Sequence, residues 1–332
     1  MKSLRDRLPD VSVLRHELLR VLESNLPDFL QATHARREEL IGNRRYFFFV
    51  ALFAVAVFAS LFFIKDVYGG FFANFMIGSV MLWSAAVILI GREWLTNNQL
   101  LAREMNMALV PMLTNTLDRM LIYTHNDEDR GKTVSQLAES HLLDTADIEV
   151  VSDDVYTVYG EREVFIRELV VTPTADRNMT WKRDIFKGLF VVTDWPHNPD
   201  VETYISTDGG KSSFSHEQFW PQVINKPAVY EMPTEDTDLE KRLHMATTDI
   251  EAAKEILTQD FLHDIYQWWN SHQLNMRISI KGGKMYIMLP EASVRIATST
   301  TSTKPEAIEK YAWALVNPIW HSLRIIESAT RR

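Results

Sequence analysis

The stretch YFFFVALFAVAVFASLFFI (Tyr46–Ile64) is followed, after a short connection, by FFANFMIGSVMLWSAAVILI (Phe71–Ile90), and neither contains a charged side chain. At a rise of about 1.5 Å per residue, each would form a helix of roughly 30 Å, the thickness of the hydrocarbon core of a bilayer. Only Lys65–Gly70 separates the two runs, and its Gly69-Gly70 pair suits a tight turn. The sequence therefore predicts a transmembrane helical hairpin that carries a soluble region.

Two other interpretations of the apolar runs exist. They could form a buried helical hairpin inside a soluble protein, although soluble core helices seldom run this long without a charge. They could also include a cleaved signal peptide, but the first run begins late, is long for a signal and is followed at once by a second run. The lengths of the runs favour the transmembrane hairpin over both alternatives.

Basic residues flank the outer ends of the hairpin. They are Arg36, Arg37, Arg44 and Arg45 before the first run, and Arg92 and Arg103 after the second. The connecting loop offers only Lys65, with Asp66 beside it. Because basic residues in short flanks stay on the cytoplasmic side, we expect a multi-pass protein with both termini in the cytoplasm and a very small external loop.

The composition of the chain excludes several kinds of chemistry. The absence of cysteine rules out disulfides, thiol catalysis and zinc–thiolate sites, and it fits a cytoplasmic domain. The net charge is −9, and between His125 and Glu168 there are 12 acidic residues against 4 basic ones, a local net charge of −8. Such a surface repels phosphates, so we expect no nucleic-acid partner. It is either a solvated acidic face or a surface for a basic partner.

Apolar periodicity divides the chain into four regions. They are an N-terminal amphipathic helical region (1–45), the hairpin (46–90, with spans 46–64 and 71–90), a helical stalk (91–123) and a cytoplasmic α+β head (133–332). Pro27 is expected to kink or split the first helix, Pro111 to kink the stalk, and the polar segment Thr124–Lys132 to form a hinge. The apolar stripes of the N-terminal helix and the stalk could pair with each other or with a second copy, and the sequence does not choose.

The head shows a β pattern and then a helical one. The expected strands are Ile148–Val151, Val155–Tyr159, Val164–Thr172, Phe186–Trp195, Val201–Ser206 and Ala228–Met232. The expected helices are Val134–Leu143, Ile250–Leu257 after a Thr248/Glu251 capping box, Gln259–His272 after a Thr258 cap, and a last helix from a Thr303/Glu306 capping box. Because runs of strands precede the helices, the sequence predicts an α+β fold with a mainly antiparallel sheet.

The clearest hairpin in the head joins Met276–Ile280 to Met285–Leu289 through Gly282-Gly283, a pair that supplies the positive φ of a primed turn. This turn pairs Ile280 with Met285 and Ile278 with Ile287, which gives one apolar face. The other face then carries Arg277, Ser279, Lys281, Lys284 and Tyr286. We expect a half-buried sheet edge that packs on a helix or a second sheet.

Five stretches between Leu109 and Leu289 share their pattern with a known family. They are Leu109-Val110-Pro111 with Tyr123, DDVYTVYGEREVFIRELVV, FKGLFVVTDW, DLEKRLHMATTDIEAAKEILTQDFLHDIYQW and the strand MYIML. On these residues the head resembles the bacterial domain of unknown function three-one-three-seven family. The chain departs from the family pattern at Leu239 and Leu243, where phenylalanines are expected.

The resemblance implies architecture and location rather than activity. It implies an α+β head preceded by two spans, in a protein anchored in the bacterial cytoplasmic (inner) membrane. The family has no assigned activity, so no catalytic residue is carried over. Genes for such proteins often neighbour those for LemA-type membrane proteins, and the resemblance alone therefore points to a LemA-type protein as the candidate partner.

No motif of a metal or phosphate site stands out, and no catalytic, cofactor-binding or metal-ligating residue is predicted. The histidines form no H-E-x-x-H pattern; His263 and His272 lie too far apart to stack closely, and the adjacent pairs His216-Glu217 and His263-Asp264 point apart on a helix. Asp208–Ser213 contains the G-K-S tail of a phosphate loop, but Ile205 stands where the first glycine belongs, so a surface turn is favoured.

Acidic and aromatic side chains leave two further questions open. Asp153, Asp154, Glu161, Glu163 and Glu168 could include an acid–base pair, but spacing does not show which of them converge, and no G-x-S-x-G signature is present. The aromatic residues Trp181, Trp195, Phe219, Trp220, Trp268 and Trp269 could line a pocket, although core packing is favoured. Because adjacent tryptophans cannot face the same core, one of the last two is expected to be partly exposed.

These observations favour a membrane-anchored, non-enzymatic interaction or scaffold module. Its partners would be the lipid bilayer and either another protein or a second copy of the chain, and no cofactor is expected. One alternative is a membrane-tethered enzyme of unrecognised class, which requires a polar cleft with perturbed pKa values. The other is a sensor of lipid or a small ligand, which requires an apolar pocket in the head.

Overall fold

The structure, a computed structural model, describes residues 8–64, 69–125, 130–143, 148–160, 162–174, 184–196, 199–207, 223–232, 242–290 and 301–330. The chain divides into two compact units. The first comprises Met1–Val21, Val110–Ile296 and Glu309–Arg332, and the second comprises Leu22–Leu109 and Ala297–Ile308. The first unit contains the sheet, and the second contains most of two long helices.

The second unit is built on helices α1 (Val11–Ile64) and α2 (Gly69–Leu117). Arg36 bonds to Glu104 at 3.1 Å, the ring of Phe47 stacks on that of Trp94 at 6.5 Å, and Phe53 meets Trp83 at 5.1 Å. Residues further along α1 contact residues that come earlier in α2, so the two helices pair antiparallel. Their apolar stripes are buried at Leu22, Phe29, Leu40, Leu101 and Met105. The pairing within one chain, which the sequence left open, is the observed arrangement.

Both helices contain a stretch that is long and apolar enough to cross a membrane, within Val11–Ala59 and Gly78–Leu117. Only 11% and 0% of the residues in their most apolar windows are buried by the rest of the protein. A core helix of a soluble protein would bury most of such a window, whereas these windows are mostly exposed among the described residues. Large apolar side chains stand exposed there, at Phe48, Phe49, Leu52, Phe53, Val55, Met81, Leu82, Ile88 and Leu89.

The first unit is organised by one sheet of nine strands in the described part of the chain, in the order β1-β2-β3-β4-β9-β8-β5-β7-β6. The strands are β1 (Met120–His125), β2 (Ile148–Tyr159), β3 (Glu163–Pro173), β4 (Phe186–Asp194), β5 (Thr203–Thr207), β6 (Tyr230–Glu231), β7 (Leu243–Thr247), β8 (Arg277–Lys281) and β9 (Lys284–Pro290). Every neighbouring pair is antiparallel. The predicted α+β class with an antiparallel sheet is therefore confirmed.

The β8–β9 hairpin has the predicted register, but its position in the sheet differs from the predicted edge. Ile280 pairs with Met285 and Ile278 with Ile287, and both turn glycines have positive φ, 58° at Gly282 and 71° at Gly283. The expectation of a half-buried edge is wrong, because β9 pairs with β4 and β8 with β5, which puts the hairpin at the centre of the sheet. On its polar face Arg277, Ser279 and Tyr286 are buried too, because a helix covers them, whereas Lys281 and Lys284 at the turn end are partly exposed.

That covering helix is α3 (Arg130–Ser140). Its buried Leu137 belongs to a core cluster with residues of β3, β4, β5 and β9, among them Leu169, Phe190 and Tyr204. Tyr286 and Met288 of β9 belong to the same cluster, so Met285, Ile287 and Leu289 point to the opposite face by strand alternation. These three are also fully buried, and the centre of the sheet is therefore covered on both faces.

Several elements differ from the sequence expectations, among them α3, which spans Arg130–Ser140 rather than Val134–Leu143. Helix α2 ends at Leu117 rather than Tyr123, because Asp118 adopts a left-handed φ of 54° and the next residues pair with β2 as β1. The two expected strands 148–151 and 155–159 are one strand whose register shifts between Ser152 and Val155. Strand β7 was not expected, since its short sequence has no strong alternation of its own and is held by pairing with β5.

The remaining helices in the part of the chain that the structure describes are α4 (Ile250–Ile256), α5 (Gln259–His272) and α6 (Pro305–Thr330). Thr258 caps α5 as predicted, by accepting from the Phe261 amide. The cap of α4 is Asp249 rather than Thr248, because its carboxylate accepts from two amides of the first turn at 3.0 and 3.1 Å. Pro27 lies inside α1 and does not split it.

Burial at the centre of the sheet makes one substitution informative. Ile287→Ala should lower the free energy of unfolding by about 2–5 kcal/mol, because it leaves a cavity where the native side chain is fully buried. Ile250→Ala, at a side chain that is 39% exposed on α4, should cost less than about 1 kcal/mol. Denaturant or thermal unfolding of the two variants checks this, and equal losses would contradict the central position of the hairpin.

Candidate functional site

Five polar side chains from four separate segments converge beside the turn end of the central hairpin. They are His141, Glu202, Tyr204, Lys226 and Lys281, and we call them the lysine–histidine cluster. Tyr204 lies on β5, directly across from Ser279 of β8, and Lys281 is the last residue of β8. Glu202 precedes β5; its amide donates to the Thr248 hydroxyl and its carbonyl accepts from the Thr248 amide, each at 2.9 Å. Residues on or next to strands β5 and β8 therefore supply three of the five side chains of the cluster.

His141 is held over the sheet by the backbone on either side of it. Ser279 donates its hydroxyl to the carbonyl of Ser140 at 2.7 Å, and Arg277 donates to the carbonyl of Leu142 at 2.9 Å. Between these anchors His141 adopts a left-handed φ of 55°, directly after the end of α3. A residue with a Cβ pays about 1–3 kcal/mol in this region, and such strain persists only where the surroundings impose it.

Lys226 comes from a tight turn on the opposite side. Its amide donates to the carbonyl of Val223 at 3.1 Å, and its carbonyl accepts from Val229 at 3.4 Å. Ala228 in the same turn has a left-handed φ of 60°. Two segments that bring side chains to the cluster therefore contain a non-glycine residue in a strained conformation, and observed strain of this kind is frequent at functional sites.

The two lysines meet at one nitrogen of the histidine. The Nζ atoms of Lys226 and Lys281 lie 2.5 and 3.2 Å from Nδ1 of His141, and Lys281 also lies 3.5 Å from Nε2. Because an ammonium group can only donate, Nδ1 accepts, and the ring proton is placed on Nε2. Lys226 also donates to the Tyr204 hydroxyl at 2.7 Å and lies 4.4 Å from the centre of its ring.

One carboxylate accompanies the two cations. Oε1 of Glu202 lies 3.2 Å from the Lys281 ammonium, and its Oε2 accepts from the Tyr204 hydroxyl at 2.5 Å. Burial opposes ionisation of Glu202, but the hydrogen bonds from Tyr204 and Lys281 outweigh it and lower the pKa of Glu202. Burial and the bond to Glu202 raise the pKa of Tyr204, so its phenol stays protonated. With a neutral histidine, the cluster carries one net positive charge.

The pKa values of two basic groups in the cluster, His141 and Lys226, are lowered. Burial, with repulsion from Lys226 and Lys281, lowers the pKa of His141. Burial also lowers the pKa of Lys226; Glu202 opposes this shift, and Lys281 adds to it. The two ammonium groups are therefore held close together, and the carboxylate of Glu202 neutralises one of their two positive charges. Such an arrangement can accept an anion, which would supply the missing charge.

A second polar group lies between α5 and α6 and has a different character. The rings of His272 and His321 meet edge to face at 5.3 Å, and Trp268 stacks on His272 at 4.6 Å. Nearby, Arg324 bonds to Asp264 at 3.2 Å. Burial, with repulsion from His272 and Arg324, lowers the pKa of His321 to about 3. Trp268, Asp264 and His321 are buried, and the contacts among these groups hold α5 against α6.

The structure separates the residues that the sequence singled out. Glu163 and Glu168 lie on β3 at an odd spacing, which puts them on opposite faces of the strand. His263 contacts Gln267 on the exposed side of α5, whereas His272 is turned toward α6. The histidines that approach each other, His272 and His321, were not paired by any sequence motif. Among the described residues, no group of three or more potential metal ligands converges.

The expectation that Trp268 or Trp269 is partly exposed is wrong, because both are buried. Both indole rings are buried because they face different neighbours. Trp268 stacks on His272, while Trp269 lies against Tyr266 and receives the Arg242 guanidinium over its ring at 4.3 Å. Trp195 is buried as well, which agrees with core packing.

Several sequence candidates lie outside the described residues. They are Glu161, Trp181, the Asp208–Ser213 motif, His216-Glu217, Phe219, Trp220 and Leu239, together with the side chains of Asp153 and Asp154. The lysine–histidine cluster itself was missed by the sequence reasoning. The one available signal was the position of Lys281 on the polar face of the predicted hairpin.

The described chain thus defines an α+β domain with a nine-stranded antiparallel sheet, in a protein with two long apolar helices near its N-terminus. Residues 184–328 match the model of a family described as "Protein of unknown function (DUF3137)". The match confirms the family resemblance over the FKGLF phrase, the AAKEILT stretch, the hairpin and most of α6. It begins after the acidic hairpin, and therefore does not extend to the earlier stretches.

Other comparisons add little. No curated protein matches the chain. A solved structure, the crystal structure of the mycobacterial trehalose monomycolate transport factor A, TtfA, is 9% identical over 62% of this chain and 88% of that chain, with a TM-score of 0.31. A likeness at this level carries no argument about the fold or the function.

The depressed pKa of His321 predicts a loss of stability in acid. Between its ordinary pKa of 6.5 and its folded value of about 3, the unfolded chain binds a proton that the folded chain does not. Stability is therefore complete above pH 6.5 and falls with pH, by about 2 kcal/mol at pH 5 from this group. Thermal unfolding at pH 7 and pH 5 measures the loss.

Two variants separate His321 from the other histidines. His321→Gln should reduce the stability difference between pH 7 and pH 5, because the group that resists protonation is gone. His263→Gln should leave that difference unchanged, since His263 is exposed on α5. An unaltered pH dependence in His321→Gln would contradict the assignment.

Proposed function

We propose that the protein is a membrane-anchored interaction module of the bacterial cytoplasmic membrane. In this proposal α1 and α2 cross the bilayer, both termini are cytoplasmic, and the α+β domain is presented at the cytoplasmic face, where it binds a partner without catalysing a reaction. The observation that carries the proposal is the exposure of the apolar windows of both helices, which no other part of the described chain covers. In water this exposure would be strongly unfavourable, whereas in lipid it is not.

The orientation rests on charge. Six arginines flank the outer ends of the two spans, and the connection between the spans contains a single lysine beside an aspartate. This asymmetry favours cytoplasmic termini and a short external loop. Trp83 and Trp94 lie on the second helix on the side of its predicted cytoplasmic end, and indole side chains favour the interface between lipid and water.

Binding is favoured over catalysis by the state of the polar groups. Nδ1 of His141 is occupied by two ammonium groups, so it is not free to accept a proton from a substrate. The pKa of Tyr204 is raised by burial and by Glu202, so its phenol stays protonated and is not available as a base. Both properties suit recognition of a charged ligand better than proton transfer.

The packing of the apolar stripes of α1 and α2 bears on whether the partner is a second copy of the chain or a different protein. The stripes of α1 and α2 pack against each other within one chain, as the contact of Arg36 with Glu104 and the stack of Phe47 on Trp94 indicate. They are therefore occupied, and this favours a different protein over a second copy. A LemA-type membrane protein is the candidate that the family resemblance names.

A small-ligand sensor is the second candidate function. The observation that favours it is the lysine–histidine cluster, whose surplus positive charge is held in place by β5, β8 and the end of α3. The sequence had led us to expect an apolar pocket for such a role, whereas the cluster is polar. In this candidate the domain would report the presence of a charged ligand to the same membrane partner.

The membrane topology can be tested with single cysteines, because the chain has none of its own. Expressed in a bacterium, the protein should stay in the membrane pellet after a carbonate wash. Lys65→Cys should react with a membrane-impermeant maleimide in spheroplasts, and Ser3→Cys should react only after lysis. Recovery of the full chain in a detergent-free high-speed supernatant, or the reverse labelling pattern, would overturn the proposal.

Partner binding can be tested separately. Cells that express the tagged chain would be cross-linked, and the protein would be purified in detergent and sized by light scattering. We expect a cross-linked complex of this chain with a second membrane protein, identified by mass spectrometry. A homogeneous monomer without any cross-linked protein would argue against an interaction module, and a cross-linked dimer of the chain would replace the heterologous partner by a second copy.

A further inference from the structure

We propose that Lys226, Lys281 and His141 form a binding site for a phosphate group, carried by a small soluble molecule or by a lipid headgroup. The inference rests on the ligand-sensor candidate for the class of function, and it does not depend on the membrane topology or on a protein partner. It names the ligand chemistry of the site from three features of the cluster: its charge, its donors and its rigidity.

The charge of the cluster calls for an anion. Two ammonium groups lie within 3.2 Å of a single imidazole nitrogen, so the cations are close neighbours. Glu202 is the carboxylate that Lys281 contacts, at 3.2 Å, and its other oxygen is occupied by the Tyr204 hydroxyl. The adjacent Lys284 has a carboxylate of its own, Glu139, at 3.8 Å, so it adds no net charge. Among the residues that the structure describes, one positive charge is therefore left over at the cluster.

The donors are those of a phosphate site. Each ammonium has three N–H groups that rotate about its stem. With Nδ1 of His141 assigned as the acceptor of the two closest ammonium contacts, the ring N–H lies at Nε2, which Lys281 approaches to 3.5 Å. Lysines act as point charges toward a tetrahedral anion, whereas a planar carboxylate is matched best by the fork of an arginine. The arginine nearest in sequence to the hairpin end, Arg277, is already bound to the carbonyl of Leu142. Donors of this type favour phosphate over a carboxylate.

The site is accessible and built on a firm base. His141 is exposed, and the side chain of Lys281 is partly exposed at 16%. The groups beneath them are buried and tied to the sheet, with Ser279 bonded to Ser140 and Tyr204 bonded to Glu202. Left-handed φ values at His141 and Ala228 hold the two flanking segments in their present course. An anion could therefore enter from solvent without unfolding its surroundings.

Calorimetry on the full chain in phosphatidylcholine nanodiscs, in phosphate-free buffer, tests the site. Inorganic phosphate should bind, and acetate should bind at least about tenfold more weakly. Lys226→Gln and Lys281→Gln should each weaken phosphate binding about tenfold or more, because each removes one charged donor. The matched control is Lys254→Gln, which removes an equal charge from the exposed pair of Lys254 with Glu251 and should leave binding unchanged.

A second measurement covers the case in which a variant folds poorly. Phosphate should raise the thermal unfolding midpoint of the wild type and of Lys254→Gln, and should not raise that of Lys226→Gln or Lys281→Gln. The midpoints without phosphate show whether each variant is folded. Lys226→Arg keeps the charge and should retain most of the phosphate-dependent shift.

Two further arms identify the source of the phosphate. Glycerol 3-phosphate should compete with inorganic phosphate if a soluble phosphomonoester fits the site. Phosphatidic acid placed in the nanodisc should lower the apparent affinity for inorganic phosphate if a lipid headgroup reaches it. Competition in either arm supports the phosphate site. Absence of phosphate binding, equal binding of acetate, or wild-type affinity in both glutamine variants would overturn it, whatever the membrane and cross-linking experiments show.

Discussion

The burial of a polar strand face at the centre of the sheet is the constraint from which the soluble domain follows. Strand β8 carries Arg277 and Ser279 on one face, and both are buried because α3 lies above them. A buried donor without an acceptor costs about 1–3 kcal/mol, and a buried charge costs more. The carbonyls at the end of α3, Ser140 and Leu142, supply the two acceptors. The helix can therefore occupy only one position along the strand.

A second contact of the same kind fixes the other end of the helix. Arg167 of β3 is buried and donates to the side chains of Thr133 and Gln136 in α3, at 2.7 and 2.9 Å. The cost of burying Arg277 appears in its pKa, which burial lowers to about 9. These contacts orient α3 across four strands, and orientation at this precision is what brings His141 to the two lysines. The cluster is thus a consequence of how the sheet satisfies its own buried donors.

Local features of the sequence predicted local features of the structure. The Gly282-Gly283 turn determined the hairpin register, because two residues with positive φ allow few alternatives. The bounds of α5 followed from Thr258 and the apolar period. What failed depended on distant residues. Strand β7 forms because β5 lies beside it, and the hairpin became central because β4 and β5 flank it. No short-range pattern encodes a neighbour that is dozens of residues away.

The same reasoning explains why the apolar helices were predictable and the cluster was not. An apolar helix is recognised from consecutive residues. The cluster, in contrast, consists of residues at positions 141, 202, 204, 226 and 281, which are brought together only by the folding of the sheet. The chain as a whole has a net charge of −9, so its long-range field repels a phosphate. At contact distance the balance would reverse, because screening limits the reach of distant charges to about 8–10 Å at ordinary salt, whereas the two ammonium groups would contact a bound anion directly. On an acidic protein, the proposed cationic site would therefore favour a single small anion over a polyanionic surface such as nucleic acid, a selectivity that a generally basic domain would lack.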